Sequence, residues 1–366
     1  MSLFTQQTNT QIDEDVRQDL DYIGSAIDSC GVEYSAIYLV GAFGRGEGSV
    51  RFDGKRWRAV NDYDLVVITA DCEKLRSCFE RLGSELARTL QIDFVDIGCI
   101  STNSLSTLQP TMQNYDLKFG SILLAGKELL NEIPDFEPGY LPPYELIRLL
   151  CNRSAGLLTA MLPENTKSQY YCTNQFLKAC IAVGDVAVHI VQGYHHSYRV
   201  RLDAFHSLAA SDRMPFDLPE RAINAVRRAY ESKLIGPSYL AFSVGQELMQ
   251  LMIAKAYCAI TSCCTNRPIT TVPEAEWALR QYYRNSADVR QYILNLFRVR
   301  DRTKDRNARY SVNSILFAQP FFYCHLNLSR SRLAFAYLCR FWSVPGALRR
   351  KWNAISAVRL WEKFHH

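Results

Sequence analysis

The apolar positions of this chain of 366 residues change character near residue 140. Before that point short buried runs alternate with helical stripes. After it almost every segment carries apolar residues at i, i+3 or i+4. Val16, Leu20, Ile23 and Ile27 fall at helical spacing and Gly31 suits a stop, so Asp13 to Cys30 is predicted helical, behind a polar, loose stretch over residues 1–12. Ile37 to Val40 predicts a short buried strand. Residues 49–60 turn about Asp53-Gly54, a hairpin signal, and predict a β-hairpin bearing Arg51, Lys55, Arg56 and Arg58. Tyr63–Thr69 predicts a second buried strand and Ile92–Ile100 a third. Between them Leu75, Phe79, Leu82, Leu86 and Leu90 stripe one face of a helix over Cys72–Leu90. A helix around Ile122 to Leu130 is expected to close this part.

The stretch NEIPDFEPGYLPP then places four prolines in thirteen residues, through which no helix or central strand runs. The expected division is a first domain over residues 1–135, with its core from about residue 30, and a helical domain over 144–366. Segments such as YELIRLLCNRSAGLLTAM and SYLAFSVGQELMQLMIAKAYCAITSC show the helical period throughout. No run of eighteen apolar residues occurs, since Gln250 and Lys255 interrupt the longest, and a spanning helix is not expected. The N-terminus lacks the basic and apolar regions of a secretory signal. The 12 cysteines are scattered with no C-x-x-C pair, which fits reduced thiols of a cytoplasmic protein.

Net charge alters this picture at one end. Residues 290–366 hold 15 Lys and Arg against 3 Asp and Glu, a net of +12; the rest holds 27 against 34, a net of −7. Trp342, Trp352 and Trp361 are interleaved with Arg340, Arg349, Arg350, Lys351 and Arg359. A basic, aromatic, amphipathic tail suits the inner face of a membrane, where the chain would be peripheral. It also suits a nucleic acid, or the plain basic outer face of a helical pair.

The candidate chemistry lies in LVGAFGRGEGSVRFDGKRWRAVNDYDLVVIT. A glycine-dense turn (Gly41, Gly44, Gly46, Gly48) follows the first strand, and Asp62 and Asp64 head the second. Strand alternation puts Asp62 and Asp64 on one face, with Tyr63 and Leu65 on the other. Two adjacent carboxylates repel each other, and a hard divalent cation, Mg²⁺ or Mn²⁺, relieves that repulsion. On the third strand Asp96 points away from the core face of Val95 and Ile97. Asp93 is the alternative third acid. Backbone amides bared at a glycine turn can cradle phosphates, and phosphates beside a carboxylate-held metal pair are the equipment of phosphoryl transfer.

The order of strand, Gly-Ala-Phe-Gly-Arg-Gly-Glu, basic insertion and Asn61-Asp62-Tyr63-Asp64-Leu65 resembles the DNA polymerase β-like nucleotidyltransferase superfamily. It is most similar to bacterial stand-alone nucleotidyltransferases with a GSFGRGEG-type turn and a helical C-terminal domain, over roughly residues 30–130. The resemblance implies an α+β fold: a small mixed sheet with helices, then an all-helical domain, with the active site in the cleft between them. It implies transfer of a nucleoside monophosphate from an NTP, usually ATP, to an acceptor hydroxyl or phosphate, a sugar or surface-polysaccharide intermediate being one candidate. Asp62, Asp64 and Asp96 would be the catalytic metal ligands. Gly41, Ala42, Gly44, Arg45 and, from the helical domain, Lys178 would meet the nucleotide. Ala42 stands where the family has Ser or Gly, which removes one hydroxyl contact to the phosphates. The competing class is a non-catalytic nucleotide sensor or antitoxin-like module of the same fold. Glu47 reads as a structural partner, and His189, His195 and His196 as packing groups rather than metal ligands.

Overall fold

The structure is a computed structural model and describes residues 2–60, 62–161, 169–235 and 244–286. The basic tail beyond Arg290 and Asn61 of the Asp62 motif lie outside the described residues. The chain divides into two compact units. The first comprises residues 1–141, 192–204 and 230–241; the second comprises 142–191, 205–229 and 242–366.

The first unit opens with helix α1 (Thr10–Ser29), whose N-cap Asn9 accepts a hydrogen bond from the Gln11 amide at 3.0 Å. Its buried stripe of Ile12, Val16, Leu20, Ile23 and Ile27 follows the period read from the sequence. The residues ahead of it are not loose. Phe4 is buried in the core, its carbonyl accepts from the Gly48 amide at 2.8 Å, and the Gln6 side chain donates to the Gly46 carbonyl at 3.0 Å. One phenylalanine in a polar stretch carries no period, so its anchoring role is invisible in the pattern.

Strand β1 (Ala36–Val40) runs into the short helical turn α2 (Gly41–Gly44), followed by the hairpin β2 (Val50–Phe52) and β3 (Trp57–Ala59). Strand β4 (Asp62–Thr69), helix α3 (Cys72–Leu90) and strand β5 (Phe94–Ser101) form a crossover unit, with β4 and β5 parallel. Helix α4 (Met112–Phe119) precedes β6 (Ile122–Gly126). The sheet order is β5-β4-β1-β6, with β1 antiparallel to both β4 and β6, so the sheet is mixed. One face carries Ile37, Leu39, Tyr63, Leu65, Val67, Val95 and Ile97 into a core shared with α1 and α3. Each fully buried aliphatic side chain there is worth roughly 1.5–3 kcal/mol.

The helix expected over Ile122–Leu130 is a correction. Residues 122–126 form a strand on the open edge of β1, and only Leu130–Glu132 make a 3-10 turn. Ile122-Leu123-Leu124-Ala125 is apolar at every position, so it shows neither a helical nor a strand period. Gly126, at φ 88°, ends the run after five residues, and pairing with β1 satisfies a backbone edge that a helix would leave open.

The hairpin is docked by its own cations. Arg56 donates to the Asp19 carboxylate at 2.8 Å and to the Asp15 carbonyl at 2.6 Å, and the Trp57 amide donates to Asp15 at 2.7 Å. Arg58 pairs with Asp53 and reaches the Leu90 carbonyl at 3.1 Å. Asp19 also accepts from the Tyr63 hydroxyl at 3.0 Å. Burial raises the Asp19 pKa, against the opposing pull of Arg56 and the Tyr63 hydrogen bond.

Every regular element described beyond residue 142 is a helix: α5 (Pro143–Met161), α6 (Gln169–Gln192), α7 (Tyr198–Ala210), α8 (Glu220–Ile235), α9 (Gln246–Thr265) and α10 (Val272–Ser286). In the second unit α9 packs against α5 and α10, around fully buried Leu146, Ile147, Leu150, Met249, Met252, Ile253 and Tyr257. Two helices, over Tyr171–Gln192 and Gln246–Thr265, are long and apolar enough to cross a membrane by length and composition, a measure that unbroken runs alone do not meet. Within the protein 61% of the first window and 44% of the second are buried.

Candidate active site

Strand β4 alternates between buried Tyr63, Leu65 and Val67 and half-buried Asp62 and Asp64. The core needs the first set, so the acids are left on the opposite face. On β5 the buried Val95 and Ile97 flank an exposed Asp96. The parallel register pairs Asp64 with Asp96 and Asp62 with Phe94. Residues paired in register on adjacent strands share a face, so Asp62, Asp64 and Asp96 stand together on the side away from the core. Asp93 precedes the first residue of β5.

Val40, the last residue of β1, pairs with Asp64, and the chain then bends at Gly41 with φ +66°. A Cβ at Gly41 would lie 1.9 Å from the Asp64 carboxylate oxygen, so that carboxylate rests against a bare Cα. No side chain can occupy this position without displacing Asp64, and the left-handed φ alone disfavours one. Gly44 is packed as tightly, with a Cβ there falling 2.4 Å from the Leu39 carbonyl. Between them Ala42 is half-buried, and Phe43 is buried with its ring 4.7 Å from that of Tyr63, which pins the turn to the core.

Arg45 goes inward. Its side chain is 6% exposed, and it donates to Asp116 at 3.0 Å and to Glu47 at 3.4 Å, with the guanidinium 5.0 Å from the Tyr198 ring. Glu47 is 1% exposed and accepts from the Ser197 hydroxyl at 2.7 Å and from the Tyr198 and Arg199 amides at 3.0 Å each. The sequence-based reading of Glu47 as a structural partner agrees with this: it caps the first turn of α7. Burial pushes Glu47 up, but the hydrogen bonds from Ser197, Arg199 and Tyr198 and the charge of Arg45 outweigh it, and the net pKa lies below the ordinary glutamate value. Asp116 also accepts from the Tyr194 hydroxyl at 3.0 Å, and Arg201 stacks 4.3 Å from the Tyr198 ring. His195 and His196 stack at 4.3 Å, and burial, with His195 and Arg45 nearby, lowers His196 to about 4.

The register thus sets Asp62, Asp64 and Asp96 on one sheet face, with Gly41 against Asp64 and with Ala42 and Gly44 in the same turn, while Arg45 enters a buried network with Asp116 and Glu47. Lys178 is half-buried on α6 in the second unit, and its triphosphate role rests on the resemblance. Sequence reasoning missed Asp116, Ser197 and Tyr198. They lie 71, 150 and 151 positions from their partners, with no motif around them.

Among the described residues no group of three or more His, Cys, Asp or Glu could hold a metal ion. Asp62, Asp64 and Asp96 are nonetheless all-oxygen donors of the kind Mg²⁺ and Mn²⁺ take, and the register puts them on one face.

No protein-family model and no curated protein matches the chain. Among solved structures the chain is similar to spectinomycin adenyltransferase from Enterococcus faecialis, solved with ATP and spectinomycin. The likeness has a TM-score of 0.39 at 13% identity and covers 67% of this chain and 98% of that one. At that score the functional reading rests on the site itself.

Proposed function

We propose that the first unit is a metal-dependent nucleotidyltransferase that moves a nucleoside monophosphate from an NTP, ATP in the usual case, to an acceptor hydroxyl or phosphate. The observation that carries this is the Asp64 carboxylate lying against the Cα of Gly41, in register with Asp96 and two residues from Asp62. One carboxylate stands beside a bend that bears no side chain, and two more lie on the same sheet face. That is room for phosphate oxygens next to hard-cation ligands.

Asp62 and Asp64 would hold Mg²⁺ or Mn²⁺, with Asp96 completing the set; the cations would neutralise charge on the phosphates and on the leaving pyrophosphate. The protein's own groups do the rest. The amides of the Gly41–Gly44 turn orient the phosphate chain. Asp96, exposed on the edge strand, accepts the proton of the acceptor hydroxyl. Phe43 and the Glu47 network keep the turn from moving away from Asp64. A second reading is favoured by Ala42: without a hydroxyl at that position the unit could bind a nucleotide as a sensor and not turn it over.

Calorimetric titration with ATP, with and without Mg²⁺, and pyrophosphate release against a panel of hydroxyl and phosphate acceptors test the proposal. Binding should require the cation. Asp64→Asn should lower turnover at least about 100-fold, about 3 kcal/mol of transition-state stabilisation, with the fold intact. Tight MgATP binding with no turnover on any acceptor, and turnover gained by Ala42→Ser, would favour the sensor. No cation-dependent nucleotide binding would remove both readings.

A further inference from the structure

We propose that Phe94 is the platform on which the acceptor stacks, and that the acceptor is a hydroxyl-bearing ring with an apolar face. The inference rests on the nucleotidyl-transfer reading above. Phe94 is 63% exposed, the most exposed of the large hydrophobic side chains among the described residues. Its neighbour Val95 enters the core, so Phe94 stands on the outer face, in register with Asp62 and two residues from Asp96.

Strand order decides which substrate it meets. The glycine turn follows β1, the paired acids Asp62 and Asp64 are on β4, and Phe94 with Asp96 is on β5, the edge of the sheet. Neighbouring strands are about 4.8 Å apart, so the strand that bears Phe94 lies about 10 Å from β1, across the strand that bears Asp62 and Asp64. In nucleotidyl transfer the acceptor oxygen bonds to the α-phosphorus as its bond to the pyrophosphate oxygen breaks, with the two oxygens roughly in line. Pyrophosphate held on the β1 side therefore leaves the β5 side for the incoming hydroxyl, whose proton passes to Asp96. A phenyl face is electron-rich and favours the positive C–H edge of a ring or a stacked base. The adjoining carboxylates accept hydrogen bonds from ring hydroxyls and repel anions. A pyranose and a nucleoside share this chemistry.

Saturation-transfer NMR on the full chain, saturated with Mg²⁺ and α,β-methylene-ATP, tests it with methyl β-D-glucopyranoside and adenosine as separate probes. At least one probe should bind wild-type protein through its ring protons. Phe94→Ala should weaken it about 10-fold, the size of an aromatic stacking contribution, and Phe94→Tyr should restore it. Affinity for the ATP analogue should stay within twofold in both variants. Which probe responds separates a sugar from a nucleoside acceptor. Binding of neither, or equal binding by wild type and Phe94→Ala, overturns the inference. Loss of analogue binding by the wild-type chain would instead strike the nucleotidyl-transfer reading.

Discussion

Glu47→Ala isolates the polar network beneath the glycine turn. The carboxylate accepts from the Ser197 hydroxyl, the Tyr198 and Arg199 amides and Arg45, and it is 1% exposed. The two amides belong to the first turn of α7, and losing a helix cap costs about 1 kcal/mol. Buried donors left without an acceptor add about 1–3 kcal/mol. Arg45 loses one counter-ion, but Asp116 at 3.0 Å remains, which holds the total below the full cost of an orphaned charge, about 3–5 kcal/mol. Taken together the expected loss is about 3–4 kcal/mol. Glu47→Gln keeps one oxygen acceptor and should cost about half as much. Urea unfolding followed by far-UV circular dichroism measures the midpoint shift at constant slope. Hydrogen exchange on peptides spanning residues 41–48 and 197–204 localises it. The wild type's advantage over Glu47→Gln should also depend on pH. A depressed glutamate pKa stabilises the fold above the unfolded value of about 4.3 and loses that contribution as pH falls through the folded value. The advantage should therefore be flat above about pH 5 and shrink below about pH 4. A Glu47→Ala loss under about 1 kcal/mol, or a Gln variant as damaged as the Ala variant, would refute this account of the node.

Gly41→Ala places a methyl group 1.9 Å from Asp64 in a left-handed bend. It should cost roughly 1–2 kcal/mol in stability and abolish MgATP binding measured by calorimetry, because the carboxylate must move. Tyr63→Phe removes the 3.0 Å donor to buried Asp19 and should lower the unfolding free energy from urea denaturation by about 1–2 kcal/mol without changing nucleotide binding. The tail of net +12 should dock the full chain on vesicles containing anionic lipid, at about 1 kcal/mol per engaged cation and with steep salt dependence. Equal co-sedimentation of the full chain and of a chain ending at Ser329 would remove the membrane role.

Elements whose two faces differ were legible in the sequence. The stripes of α1 and α3 and the alternation Asp62-Tyr63-Asp64-Leu65 each present one set to the core and another to water, and that asymmetry is what a period records. The same logic chose Asp96 over Asp93: Val95 and Ile97 must be buried, so Asp96 is not. Ile122–Ala125 failed the test because it is apolar at every position. Only the open edge of β1, where Leu39, 83 positions earlier, pairs with Ile122, makes it a strand. Phe4 failed for the opposite reason, lying in a mostly polar segment whose few apolar residues show no period.

Arg45 shows where motif reading and physical reading part. Its place between two glycines, one residue before Gly46 at φ +70°, makes it look like an arginine offered to phosphate. Such an arginine must be free to fork onto an anion. Here the guanidinium already faces Asp116 and Glu47 and lies against a tyrosine ring, at 6% exposure. Extracting it for a phosphate would leave buried Glu47 and half-buried Asp116 with their shared cation gone. The charge of Arg45 therefore acts on the turn from below, tying residues 45–47 to α4 and α7. On the proposed reading, the surface of the turn left for phosphate is backbone. This is consistent with Ala42: if the amides of the bend and the carboxylate-held cations carry the phosphates, a serine hydroxyl at residue 42 is a supplement, and its absence does not by itself disarm the site.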